Sequence, residues 1–191
     1  MKTKNNLNCR SRGFTLMEAV VSTAVFAVAV TGIIGTYLMV LKVDAKTRAE
    51  RSVQENGRFI MEFLGKELRT GHLDYASYFG GLVGANPETT LHIVNQNNEA
   101  EDVICGNPNM TLTKSGYTTS LNSSAVTVTK CSFYIAPPID PFRQLLLNPP
   151  NNQPFVTVVL ELTSNFGQKE GETAVINLES TYSLREYPSR E

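Results

Sequence analysis

From Ala19 to Leu41 the chain runs for 23 residues without a charged side chain, AVVSTAVFAVAVTGIIGTYLMVL. The hydrocarbon core of a bilayer is about 30 Å thick and takes ~20 apolar residues in a helix, so the run is long enough to span it. Its apolar residues fall on every side of a helix, a distribution that an amphipathic surface helix avoids. A buried core helix of this length would be rare in 191 residues. A cleaved secretory signal would carry an apolar stretch of roughly 7–15 residues closed by an A-x-A-like site, and neither limit fits. The run therefore predicts a transmembrane segment at about 19–41 that stays in the mature protein. The whole-chain averages hide it, because 41% hydrophobic and 18% charged residues with a net charge of −1 resemble one ordinary soluble domain. Those averages do exclude a disordered chain and a strongly basic nucleic-acid binder.

The flanks set the orientation. Lys2, Lys4, Arg10 and Arg12 precede the run with no acid among them, and basic flanks are retained on the cytoplasmic side. Lys42, Lys46, Arg48 and Arg51 follow it, interleaved with Asp44, Glu50 and Glu55. The asymmetry points to a cytoplasmic N-terminus and an external C-terminus. Glu18 stands at the edge of the run, where a carboxylate is costly and marks a functional candidate. Hydropathy alone leaves a second reading open, a solvated Glu at the headgroup level.

The residues around Glu18 narrow that choice. A basic leader, then Gly13, Phe14, Thr15, Leu16 and Glu18, then a long apolar helix resembles the class III signal of type IV prepilins and type II secretion pseudopilins. The resemblance implies that a prepilin peptidase/methyltransferase cuts after Gly13 on the cytoplasmic side and N-methylates Phe14. It also implies that Glu18, fifth in the mature chain, sets the register of assembly. The physics of the residues agrees. Cleavage creates an ammonium at Phe14 in an apolar setting, and Glu18 is the nearby opposite charge. An anion one turn into a helix is favoured by the helix dipole, and Gly13 gives the peptidase an unobstructed backbone. Two further stretches, RSVQENGRFIMEFLGKELRTG at 51–71 and LESTYSLREY at 178–187, resemble PilW-like minor pilins and J-type minor pseudopilins.

The expected fold class is α+β, a pilin fold with one long N-terminal helix on an antiparallel sheet. The domains are a cleaved leader at 1–13, the helix at 14–70 and an extracytoplasmic β-rich head at 71–191. The helix stop at Gly71 follows Lys66 and Arg69 in a basic last turn. Past the membrane, Ala49, Val53, Gly57, Ile60, Leu64 and Leu68 repeat at helical spacing and form an apolar stripe that the head must cover. Gly32, Gly35 and Gly57 are soft points, and whether the helix melts near Gly32 and Gly35 stays open. Strands are expected at Leu91–Val94, Asp102–Cys105, Ser124–Ile135 with a bulge near Lys130, Phe155–Thr163 and Thr173–Tyr187, with a hairpin loop at Asn165–Gly171. Ala136–Pro154 is a proline-rich surface loop, and its Leu145, Leu146 and Leu147 either cap the core or meet a partner.

Three cysteines become an even pair once Cys9 is assigned to the leader. Cys105 and Cys131 then lie on the oxidising side and are expected to form a disulfide, since two Cys without a nearby His make a poor zinc site. No G-x-S-x-G, Walker loop, H-E-x-x-H or dinucleotide motif occurs. His72 and His92 are expected at the surface, and Glu99, Glu101 and Asp102 as a solvated run without a defensible Ca²⁺ spacing. No cofactor, metal or catalytic activity is expected. The reading is a type IV pilus minor pilin that assembles into, or primes, a filament. The alternatives are a minor pseudopilin of type II secretion and a membrane-tethered adhesin or DNA-uptake module. Its partners would be the prepilin peptidase, other pilin or pseudopilin subunits and the inner-membrane assembly platform. Loss of the leader removes four cations and no acid, and the resulting negative charge argues against nucleic acid.

Overall fold

The computed structural model describes residues 13–141, 153–166 and 173–184. Residues 1–12 with Cys9, the leucines at 145–147, residues 167–171 of the expected hairpin loop and Arg185–Tyr187 of the last expected strand lie outside them. The chain divides into two compact units between Val43 and Asp44.

Helix α1 spans Leu16–Thr70. It begins two residues later than the sequence pattern suggests, because Thr15 caps it. In the first unit its side chains are exposed almost without exception, and this part is long and apolar enough to cross a membrane. The serine and threonine hydroxyls of residues 19–41 are satisfied within the helix. Ser22 donates to the Ala19 carbonyl at 3.0 Å, Thr23 to Val20 at 2.9 Å, Thr31 to Val28 at 2.9 Å and Thr36 to Ile33 at 2.8 Å. Such back-bonding leaves no serine or threonine hydroxyl of residues 19–41 for lipid to solvate.

In the second unit α1 buries Ala49, Val53, Gly57, Ile60, Leu64, Gly65 and Leu68, which is the expected stripe with Gly65 added. Two antiparallel sheets, rather than one, supply the covering surface. Strands β1 (His72–Leu73), β2 (Thr90–Val94), β3 (Ala100–Ile104), β4 (Thr111–Lys114) and β5 (Tyr117–Ser120) form a five-stranded sheet in that order. Strands β6 (Val126–Ala136), β7 (Phe155–Ser164) and β8 (Val175–Ser183) form the second. Alternation places Leu91, Ile93 and Val103 of the first sheet in the core with Val156, Val158, Leu160 and Leu162 of β7. The register of β6 shifts between Val128 and Lys130, at the expected bulge, so Val126 and Val128 and then Phe133 and Ile135 all face inward.

The sheets are tied together at several points. Cys105 and Cys131 are joined by a disulfide, with Cα atoms 5.4 Å apart. Glu88 and Phe133 exchange backbone hydrogen bonds at 2.8 and 2.9 Å, and the Val128 N–H donates to the Pro108 carbonyl at 2.9 Å. Asn122 is buried between β5 and β6. Its amide donates to Val126 at 2.7 Å, and its oxygen accepts from the Met110 N–H at 2.9 Å. The next residue, Ser123, donates its N–H to Asn56 of α1 at 2.9 Å.

The polar residues of β2–β4 are more engaged than a solvated run. Lys114 bridges Glu99 and Glu101, each at 2.8 Å, and Asn95 donates to both carboxylates. Glu101 is buried, because its cross-strand neighbours on the core side are Ile93 and Lys114. His92 is half-buried rather than free at the surface. Its Nδ1 lies 2.6 Å from Asp102, and its ring meets Tyr78 edge-on at 4.8 Å. Burial pushes the Tyr78 hydroxyl up to about 12. That hydroxyl stands in for a strand beyond the two-residue β1, donating to the Thr90 carbonyl at 3.3 Å and accepting from the His92 N–H at 3.2 Å.

Gly57 and Gly65 let β8 approach the helix. A Cβ on Gly65 would sit 2.7 Å from the Tyr182 ring, which is fixed by its hydroxyl donating to the Met61 carbonyl at 2.8 Å. A Cβ on Gly57 would meet only side-chain ends, Leu178 Cδ1 at 2.5 Å and Leu162 Cδ1 at 3.3 Å. Gly65→Ala is therefore expected to destabilise the protein by ~1–3 kcal/mol in urea unfolding of the detergent-solubilised chain. Gly57→Ala should lie near zero, since the helix gains up to ~1 kcal/mol in propensity. Lys114 holds Glu99, and Lys130 holds Glu161, below the usual carboxylate range. A depressed carboxyl stabilises the fold above its unfolded pKa, and this is lost as pH falls through the folded value. Unfolding of the head should become easier below about pH 4. Glu99→Gln should flatten that acid limb.

Candidate functional site

Gly13, Phe14 and Thr15 are non-helical, and the first helical residue is Leu16. Thr15 has both marks of an N-cap. Its carbonyl accepts the first helical hydrogen bond, from the Ala19 N–H at 3.1 Å, and its hydroxyl accepts from the Glu18 N–H at 3.3 Å. Thr15-Leu16-Met17-Glu18 is the T-x-x-E spacing of a capping box, with Glu18 in the third helical position. Sequence reasoning treats Thr15 only as part of the signal motif, although this spacing carries its second role.

The cap fixes the geometry around the acid. Glu18 lies in the first turn, where the helix dipole favours a negative charge. Its carboxylate makes no hydrogen bond or ion pair with any described residue. Phe14, Leu16 and Met17 around it are exposed at 78%, 84% and 72%. An unpaired acid thus stands at the head of an exposed apolar helix, next to two non-helical residues, Gly13 and Phe14. The backbone there is exposed, with no described atom within 4 Å of a Cβ built on Gly13. Such a segment offers a peptide bond to an enzyme and a carboxylate to an incoming cation.

Gly13, Phe14, Thr15, Leu16 and Glu18 therefore fall together at the start of α1, and Cys105 and Cys131 are bonded in the head. Among the described residues, no group of three or more His, Cys, Asp and Glu side chains is placed to hold a metal ion. The cation position between Glu99 and Glu101 is filled by Lys114.

A long, membrane-competent N-terminal helix followed by antiparallel sheets closed by a disulfide is an α+β, pilin-like architecture. Residues 8–34 match the family model described as the prokaryotic N-terminal methylation motif. The chain therefore carries a type IV prepilin-like class III signal, which supports a type IV pilin- or pseudopilin-like protein. That motif implies processing by a prepilin peptidase, assembly with other pilin subunits and anchoring in the membrane. No curated protein and no solved structure matches the chain.

Removing the cap should fray the first turn. In detergent micelles, Thr15→Ala is expected to speed amide hydrogen exchange at Glu18 about fivefold, the effect of an N-cap worth ~1 kcal/mol. Thr15→Ser should leave it unchanged.

Proposed function

We propose that this protein is a type IV pilus minor pilin that works by assembly and not by catalysis. Its leader, residues 1–13, is removed between Gly13 and Phe14, and the new Phe14 amine is methylated. The precursor is a single-pass protein of the inner membrane, with the basic leader cytoplasmic and the disulfide-bonded head outside. The assembly platform then draws α1 out of the bilayer and into a filament. As a minor subunit, the protein enters or primes that filament.

One observation carries this reading: the Glu18 carboxylate, without a described partner, at the capped start of an exposed apolar helix within the matched segment. A carboxylate among packed apolar helices requires a counter-charge, and the N-methylated Phe14 amine of a neighbouring subunit supplies it. The pair has a fixed height along the helix, so it sets axial register. Removing one partner of such a buried pair costs ~3–5 kcal/mol. The minor-pilin assignment draws on the 51–71 and 178–187 stretches. A pseudopilin would use the same N-terminal residues, and recovery of the protein in sheared pili separates the two.

The intact mass of the processed protein should equal a chain that begins at monomethylated Phe14. Retention of Met1–Gly13 in cells that hold the peptidase would sink the reading. Glu18→Ala should leave cleavage largely intact while reducing incorporation into filaments at least tenfold, read by immunoblot of the sheared fraction.

A further inference from the structure

The four sheet edges are not equally protected. The five-stranded sheet ends on β1, two residues long, and β5, four residues long. The outer edge of β6 is bridged by Glu88 and by the Pro108 carbonyl. Strand β8 differs from all of them. Its nine residues, VINLESTYS, pair with β7 in one unbroken register from Thr163↔Val175 to Phe155↔Ser183. Among the described residues, no backbone group pairs with its other side. Natural proteins guard such edges with Lys, Pro or a bulge. The β8 edge has no Lys, no Pro and no register shift, and Glu179 is its one charge.

An open groove of ≈ 470 Å³ lies beside this edge, between β8 and α1. Its walls include Met61, Glu62, Lys66 and Arg69 of the helix and Ser180 and Tyr182 of β8. Among the described residues its β-strand lining comes from the edge strand β8 alone. The groove is cationic. Glu62 is taken by Arg58 at 2.7 Å, while the Lys66 ammonium has no hydrogen bond or ion pair with any described residue. The Arg69 guanidinium lies 6.0 Å from the centre of the Tyr182 ring.

We propose that β8 accepts an extended, acidic segment of a neighbouring pilin-type subunit as an added strand. Main-chain hydrogen bonds to the β8 edge hold the segment, and its carboxylates face Lys66 and Arg69 across the groove. Strand addition of this kind takes affinity from the backbone and specificity from side chains beside the edge. Here the specificity is for negative charge, so the contact weakens as salt screens it. The proposal rests on the assembly reading above, since the occupant is a neighbouring subunit.

The test uses the full-length chain in cells that hold the peptidase and the assembly machinery. A photo-reactive p-benzoylphenylalanine replaces Asn177 on β8 or, as a control, Tyr117 on β5. Adducts are mapped by mass spectrometry, and the N-terminus of the same sample is read. The expected result is an Asn177 adduct on an acidic segment of another subunit, exceeding the Tyr117 yield. That yield should drop about fivefold in Lys66→Glu with Arg69→Glu, and measurably in Lys66→Glu alone, whose side chain supports no other described contact. Adducts confined to the same chain, including its residues 185–191, would overturn the proposal. Equal yields from the two positions, or insensitivity to both charge reversals, would overturn it too. A chain processed to Phe14 without the adduct refutes strand addition alone, whereas an unprocessed chain refutes the assembly reading and this proposal together.

Discussion

Twenty-three consecutive uncharged residues have to be kept from water, and most of the N-terminal chemistry answers that need. A helix is one of the few backbone forms that survives in hydrocarbon, because it satisfies every internal N–H and C=O within itself. The open N–H groups of its first turn remain, and Thr15 answers part of that demand through its hydroxyl. The serine and threonine hydroxyls further along bond back to their own helix. What the helix does not satisfy internally is Glu18. An acid that cannot be silenced locally is suited to reading a charge on another molecule, which is the physical basis of the register role proposed for Glu18.

The head follows a different rule. Its part of α1 is amphipathic, and the stripe from Ala49 to Leu68 is buried by two sheets. Glycine at 57 and 65 brings β8 against the helix, and Tyr182 then locks the approach through Met61. The disulfide and the Glu88–Phe133 bridge keep the two sheets in one core. Such a head is packed and cross-linked at its centre and presents distinct edges at its rim.

Several features were readable before any coordinates. The stripe from Ala49 to Leu68, the strong alternation of β7 and the bulge of β6 all appear at the expected places. The β4–β5 hairpin was not read, because β5 has no buried residue and so shows no apolar alternation. Its signal was present in Ser115-Gly116, a two-residue turn with φ of 50° and 81°. The acids at 99–102 differ from expectation for a related reason. A run of Glu and Asp looks solvated until a strand register places Lys114 opposite Glu101 and His92 opposite Asp102. The two roles of Thr15 shared one spacing, and only the signal role was taken from it.

Apolar length was enough to determine that this chain has a membrane-competent helix, and the residues from Gly13 to Glu18 carried the resemblance to a prepilin signal before it. Those properties depend on residues close together in sequence, where periodicity and spacing act directly. The tertiary structure decided which strand edges are bridged by described residues, which acid meets a lysine, and which glycines are needed for contact with β8. These are long-range matters, fixed by the register between segments distant in sequence. Tyr182 and Met61, or Lys114 and Glu101, meet only because the fold brings their backbones together.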